Sequence, residues 1–141
     1  MSLPVRCAAA SLLVALSLAG AAHARQSALV EPPRTMLVAP DGAATAERVK
    51  AAVITGSSGL GWVVREDEAG RLRLSYNKQG KHEVTIDCLY DAQGYQLKYV
   101  SSMNMNYEKD AAGEQIHPNY NRWIANLIKT IGQAYGASAP R

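Results

Sequence analysis

Residues 116–135, I-H-P-N-Y-N-R-W-I-A-N-L-I-K-T-I-G-Q-A-Y, constrain this chain more than any other stretch. Wound at about 100° per residue, Tyr120, Trp123, Ile124, Leu127, Ile128, Ile131, Ala134 and Tyr135 fall within an arc of about 140°. Arg122, Asn126, Lys129 and Thr130 take the other side. A helix patterned in this way needs a flat apolar partner, and the middle of the chain supplies one.

Four alternating segments, separated by turn residues, precede that helix. Trp62 and Val64 share a face in the first; Leu72, Leu74 and Tyr76 in the second; Val84, Ile86, Cys88 and Tyr90 in the third. The fourth and longest runs through Tyr95, Leu97, Tyr99, Ser101, Met103, Met105 and Tyr107. Short turns imply an antiparallel meander, and one apolar face implies cover on one side only. A first helix, capped by Asp41 and running to about Ile54, supplies the rest of the cover, with Ala46, Val49 and Val53 at helical spacing and Gly56, Gly59 and Gly61 ending it. The expected fold is therefore α+β: a four-stranded antiparallel meander with an N-terminal and a C-terminal helix packed on one face, in the order α-β-β-β-β-α. It occupies residues 41–136, after an extended lead-in at 25–40 and before a flexible tail at 137–141.

Residues 1–24 read as a secretory signal peptide. Arg6 gives a positive start, an apolar run follows from Ala8 to Leu18, and Ala22-His23-Ala24 forms a small-x-small cleavage site. The run is shorter than the about 20 residues a membrane span needs, so no membrane span is expected. Cys7 precedes the run, where a lipid-attachment cysteine would follow it. Cleavage after Ala24 leaves Cys88 as the one cysteine, so no disulfide staples the expected periplasmic or secreted protein.

The chemistry-bearing patterns fail on context or distance. Residues 51–61, A-A-V-I-T-G-S-S-G-L-G, resemble the glycine turn of short-chain dehydrogenases. They lack one residue of its spacing, a following β-α-β unit and any Tyr-x-x-x-Lys pair, and a connection between helix and strand is the better reading. Cys88 and His82 share a strand face but lie about 20 Å apart. Glu83 and Asp87 are about 13 Å apart, beyond the spacing of a glycosidase pair. No ligand set for a metal and no cofactor motif emerges.

Surface recognition remains. Arg65, Arg71, Arg73, Lys81 and Lys98 lie on the outward face of the expected sheet, suited to an envelope protein or an anionic envelope component. No aromatic residue is interleaved among them, which argues against nucleic acid. The edge of the fourth strand is long and carries few charges; either the lead-in or the first helix covers it, or a partner adds a strand there.

Two segments complete the pattern. Residues 99–107, Y-V-S-S-M-N-M-N-Y, and 116–128, I-H-P-N-Y-N-R-W-I-A-N-L-I, fit Y-x-x-S-x-N-L-x-Y followed by I-H-x-x-Y-N-x-W-I-x-N-L, with Met105 in place of Leu. The chain thereby resembles small exported or lipid-anchored proteins of Gram-negative bacteria. That resemblance implies an envelope location and a shared fold, and nothing catalytic. By strand parity Ser102 and Asn104 point away from the apolar face. His117 or Asn119 caps the helix, and Asn121 ties down a loop. The expected function is a periplasmic, non-enzymatic binding or adaptor module, with candidate residues Arg65, Arg71, Arg73, Lys81, Lys98, Ser102, Asn104, His117 and Asn121. The alternative is a small envelope hydrolase or transferase with its site near His117.

Overall fold

The computed structural model describes residues 26–139. The expected signal peptide and the last two residues of the tail lie outside them. Two helices, α1 (Ala46–Ser58) and α2 (Asn119–Ala137), accompany eight strands. These are β1 (Ser27–Ala28), β2 (Thr35–Met36), β3 (Val63–Glu68), β4 (Arg71–Lys78), β5 (His82–Asp91), β6 (Gly94–Met103), β7 (Glu108–Asp110) and β8 (Gly113–Ile116). They form a five-stranded sheet, β2-β6-β5-β4-β3, and a three-stranded sheet, β1-β8-β7, with every pairing antiparallel. The α+β class and the antiparallel sheet hold. The four-stranded meander is corrected to two sheets, because the lead-in contributes a strand to each and residues 108–116 form a hairpin of their own.

The central packing follows the alternation. Leu72, Leu74, Val84, Ile86, Cys88, Tyr95 and Leu97 are at most 2% exposed and join Tyr120, Ile124, Leu127 and Ile131 of α2 in one core. α1 adds Val49, Ala52 and Val53. Its cap is Thr45, whose Oγ1 accepts a hydrogen bond from Arg48 N at 3.1 Å. Asp41 lies upstream instead, accepting from Ala43 N and holding the Arg48 guanidinium at 3.1 Å. Gly56 does not end α1, which continues to Ser58. Its missing side chain is needed there, since a Cβ would lie 2.7 Å from Ile131 Cα.

Two bulges correct the parity of the outer strands. In β3 the register slips at Arg65, so Glu66 rather than Arg65 stands opposite Arg73. In β6 it slips at Val100: Tyr99 still faces in beside Ile86, but Ser101 now pairs with Thr85 and Ser102 with Val84. Ser102 thus turns to the covered face, where its Oγ lies 2.8 Å from the Tyr99 hydroxyl, and Met103 turns outward to 60% exposure. An extra residue inverts the side-chain alternation after it.

The lead-in is tied down at both ends. β1 pairs with β8, and β2 pairs with the start of β6 through Thr35↔Tyr95 and Met36↔Gly94, followed by Leu37 N donating to Gln93 O at 2.9 Å. Pro32 and Pro33 offer no N–H, so β2 cannot extend back along β6. Between the strands, Asn121 uses both ends of its amide: Oδ1 accepts from Val30 N at 3.0 Å and Nδ2 donates to Ala28 O at 2.8 Å. Among the described residues no helix is long and apolar enough to cross a membrane.

Candidate functional site

The outward basic residues sit among carboxylates. Arg73 grips Asp87 with two hydrogen bonds, Nε to Oδ1 at 2.8 Å and Nη2 to Oδ2 at 3.0 Å, and reaches Glu66 at 3.4 Å. Arg71 contacts Glu66, Glu68 and Asp87 at 2.9, 2.8 and 3.2 Å. Arg65 Nε donates to Ser75 Oγ at 2.7 Å. Lys98 stands opposite Asp87 in the β5–β6 register, and Lys81 lies in the β4–β5 turn. The bulge at Arg65 is what brings Glu66 into this ladder. Arg71 and Arg73 are therefore held in place by acids on their own sheet.

The paired guanidinium holds the Asp87 carboxyl below its ordinary value near 3.8, against a smaller opposing effect of burial. A carboxylate depressed in the folded state stabilises fully above its unfolded pKa, and that stabilisation is lost as pH falls through the folded value. Urea midpoints measured downward from about pH 4 should therefore fall more steeply in the wild type than in Asp87→Asn. Parallel curves would remove the ladder from the acid response.

At the opposite end of β5 three candidate residues do meet. Asn104 takes a left-handed conformation, φ 59°, just beyond β6. It is neither on a strand nor on a sheet face: its Nδ2 donates to Lys81 O at 2.9 Å, and its carbonyl lies 2.7 Å from His82 Nδ1. His117 N donates to Met105 O at 2.7 Å, and its Nδ1 accepts from Asn119 N at 3.1 Å. The His82 and His117 rings are 6.1 Å apart, centre to centre. A carbonyl can only accept and an N–H can only donate, so His82 carries its proton on Nδ1 and His117 on Nε2. His117 is a helix cap and Asn104 a clip on the β4–β5 turn. Among the described residues no group of three or more His, Cys, Asp or Glu could hold a metal. Cys88 is wholly buried, and burial pushes its thiol up to about 12, which keeps it protonated and unreactive at neutral pH.

A different group of residues forms an open recess. Trp62 follows Gly61, whose φ of 87° turns the chain out of α1, and one step further Val63 pairs with Ser75; Trp62 therefore lies across from Tyr76. Their ring centres are 5.4 Å apart at 30°. Trp123, from the second turn of α2, meets Tyr76 edge-on, at 5.0 Å and 78°. Leu60 and Asn126 complete a notch of about 200 Å³. Both tryptophans of the chain are in it.

The notch also holds unused polar groups. Among the described residues, the Trp62 and Trp123 indole N–H groups, the Tyr76 hydroxyl and the Asn126 amide make no hydrogen bond within the protein. Among the described residues the one buried side-chain polar atom without a partner is the Tyr135 hydroxyl, outside the notch. The Trp62 N–H therefore still meets solvent, although the residue is only 4% exposed. Alternation and helical angle put Trp62 and Trp123 on the covered side, and there they lie, Trp62 within the core and Trp123 packed against it; neither pattern records that the cover ends beside them. Comparison with protein-family models, curated proteins and solved structures finds no match.

Proposed function

We propose that the protein is a non-enzymatic binding module of the bacterial envelope, exported through its leader and working by recognition at the aromatic notch. The observation that carries this reading is the convergence of Trp62, Tyr76 and Trp123 on an open recess with their polar groups unspent. Aromatic surface with a polar handle is the common currency of recognition sites. The leader pattern and the resemblance to exported proteins support the location. The arginine face is the weaker surface, since binding an acidic partner there means displacing Glu66 and Asp87 from Arg71 and Arg73. No observation favours an enzyme at His117, whose Nδ1 is engaged by the helix it caps.

Affinity capture from envelope extracts tests the reading. Wild-type protein and the Arg71→Glu/Arg73→Glu variant should retain the same partner, and Trp123→Ala should lose it. A partner that survives Trp123→Ala and is lost on charge reversal moves the site to the sheet face.

A further inference from the structure

We infer that the notch receives a proline-bearing, acidic segment of a partner protein in the extended polyproline conformation, an inference that rests on the notch being the binding site. Size is the first argument. At about 200 Å³ the recess is smaller than the roughly 300–1,000 Å³ of small-molecule sites, so it admits one ring or side chain and not a whole cofactor.

Shape and hydrogen bonding narrow the ring. Tyr76 and Trp123 meet nearly at a right angle, which makes a cleft between walls and not the flat platform a sugar face would stack upon. Two of the four polar groups around it are indole N–H groups, which only donate. A ligand for them offers acceptors and few competing donors. Proline segments do so: their backbone keeps its carbonyls and loses its N–H groups, and their fixed φ lowers the ordering cost of binding. Grooves walled by aromatic residues are a known solution for such segments.

Charge supplies the rest. No acidic residue lines the notch, and α2 contains none at all. Arg122, Asn126 and Lys129 are exposed at positions i, i+4 and i+7, a single stripe beside Trp123. Seven residues of helix separate the two cations by about 10 Å along the axis. Acidic residues three apart on a polyproline helix are about 9 Å apart. A repeat of the form Pro-Pro-Glu therefore sets a ring in the notch and a carboxylate near each cation.

The test uses the purified protein and defined probes, followed at the two indole N–H resonances by ¹H–¹⁵N spectroscopy. A blocked peptide of four Pro-Pro-Glu repeats should shift both signals and bind about tenfold more tightly than Pro-Pro-Lys or Ala-Ala-Glu repeats. The exposed Asn126→Ala should weaken it without altering the melting curve, and Arg122→Glu/Lys129→Glu should reverse the preference toward Pro-Pro-Lys. Equal affinity for the three peptides, or no shift by about 1 mM, overturns the inference. A chitin hexasaccharide that moves the indole signals while the peptides do not also overturns it, yet leaves the notch standing as a site. Partner capture that survives Trp123→Ala brings down the notch itself.

Discussion

Gly56→Ala is expected to destabilise the fold by about 3 kcal/mol, at the upper end of the usual cost of overpacking. The added Cβ would lie 2.7 Å from both Cα and N of Ile131 and 2.9 Å from the Thr130 carbonyl carbon. All three are backbone atoms, so no rotamer change makes room. α1 and α2 would have to part, and Thr130 Oγ1 would lose its 2.9 Å bond to Gly56 O. For a domain of this size the melting temperature should fall by about 10 °C. Gly132→Ala is the control: it lies inside α2 with nothing within 4 Å of an added Cβ, and it should stabilise by about 0.5–1 kcal/mol. Melting of Gly56→Ala within a degree or two of wild type would show that the helices are not held at this crossing.

Gly94→Ala should act locally instead. Its Cβ would fall 2.1 Å from Thr35 O and 3.1 Å from Met36 Cα, so β2 cannot stay paired with β6. The Leu37–Gln93 hydrogen bond and the Arg34–Asp91 ion pair lie on either side of the clash and should loosen with it. The local cost is about 2 kcal/mol for the hydrogen bonds lost, while the helix-covered core stays intact. Trypsin should cut after Arg34 many times faster than in wild type. Loss of β2 would bare Gly94 and Tyr95 and so extend the open edge of β6, which has no proline and Lys98 as its charge, and should promote self-association at high concentration. An unchanged rate of cleavage at Arg34 would mean that the lead-in is held by other contacts.

The covered face of the sheet was legible because it is periodic. Leu72, Leu74, Val84, Ile86, Cys88, Tyr95 and Leu97 sit where strict alternation puts them, and α2 turns the expected arc inward. Beyond Tyr99 the same alternation misled. One extra residue at Val100 reverses the sense of everything after it, so Ser102 faces in and Met103 faces out. The left-handed Asn104 and Asn106 then break what reads as one continuous strand. A bulge leaves no trace in hydrophobicity, since it changes direction and not composition. β1 and β2 escaped for another reason: strands of two residues are too short to show a period.

The candidate residues divided along similar lines. A role set by neighbours in sequence could be read, as with the cap at His117; at Asn121 the loop tie was legible but its distant partners, Val30 and Ala28, were not. Roles set by partners across the sheet could not be read. Nothing local to Arg71 or Arg73 says that Glu66 and Asp87 will meet them, and nothing local to Trp62 says that it will share a recess with Trp123.

The lead-in bears on the order of events in folding. Ser27 reaches across 89 positions to Ile116, and Thr35 pairs with Tyr95, so its partners are among the most distant in the sequence. Contacts between neighbouring strands, and between α2 and the sheet, close shorter loops and should form before it. The opening residues would then act as a latch that engages a body already assembled. Asn121 could not grip Val30 and Ala28 until α2 had docked. A latch of this kind separates two rates: the body can be fully packed while residues 26–36, which carry β1 and β2, still wait for their places.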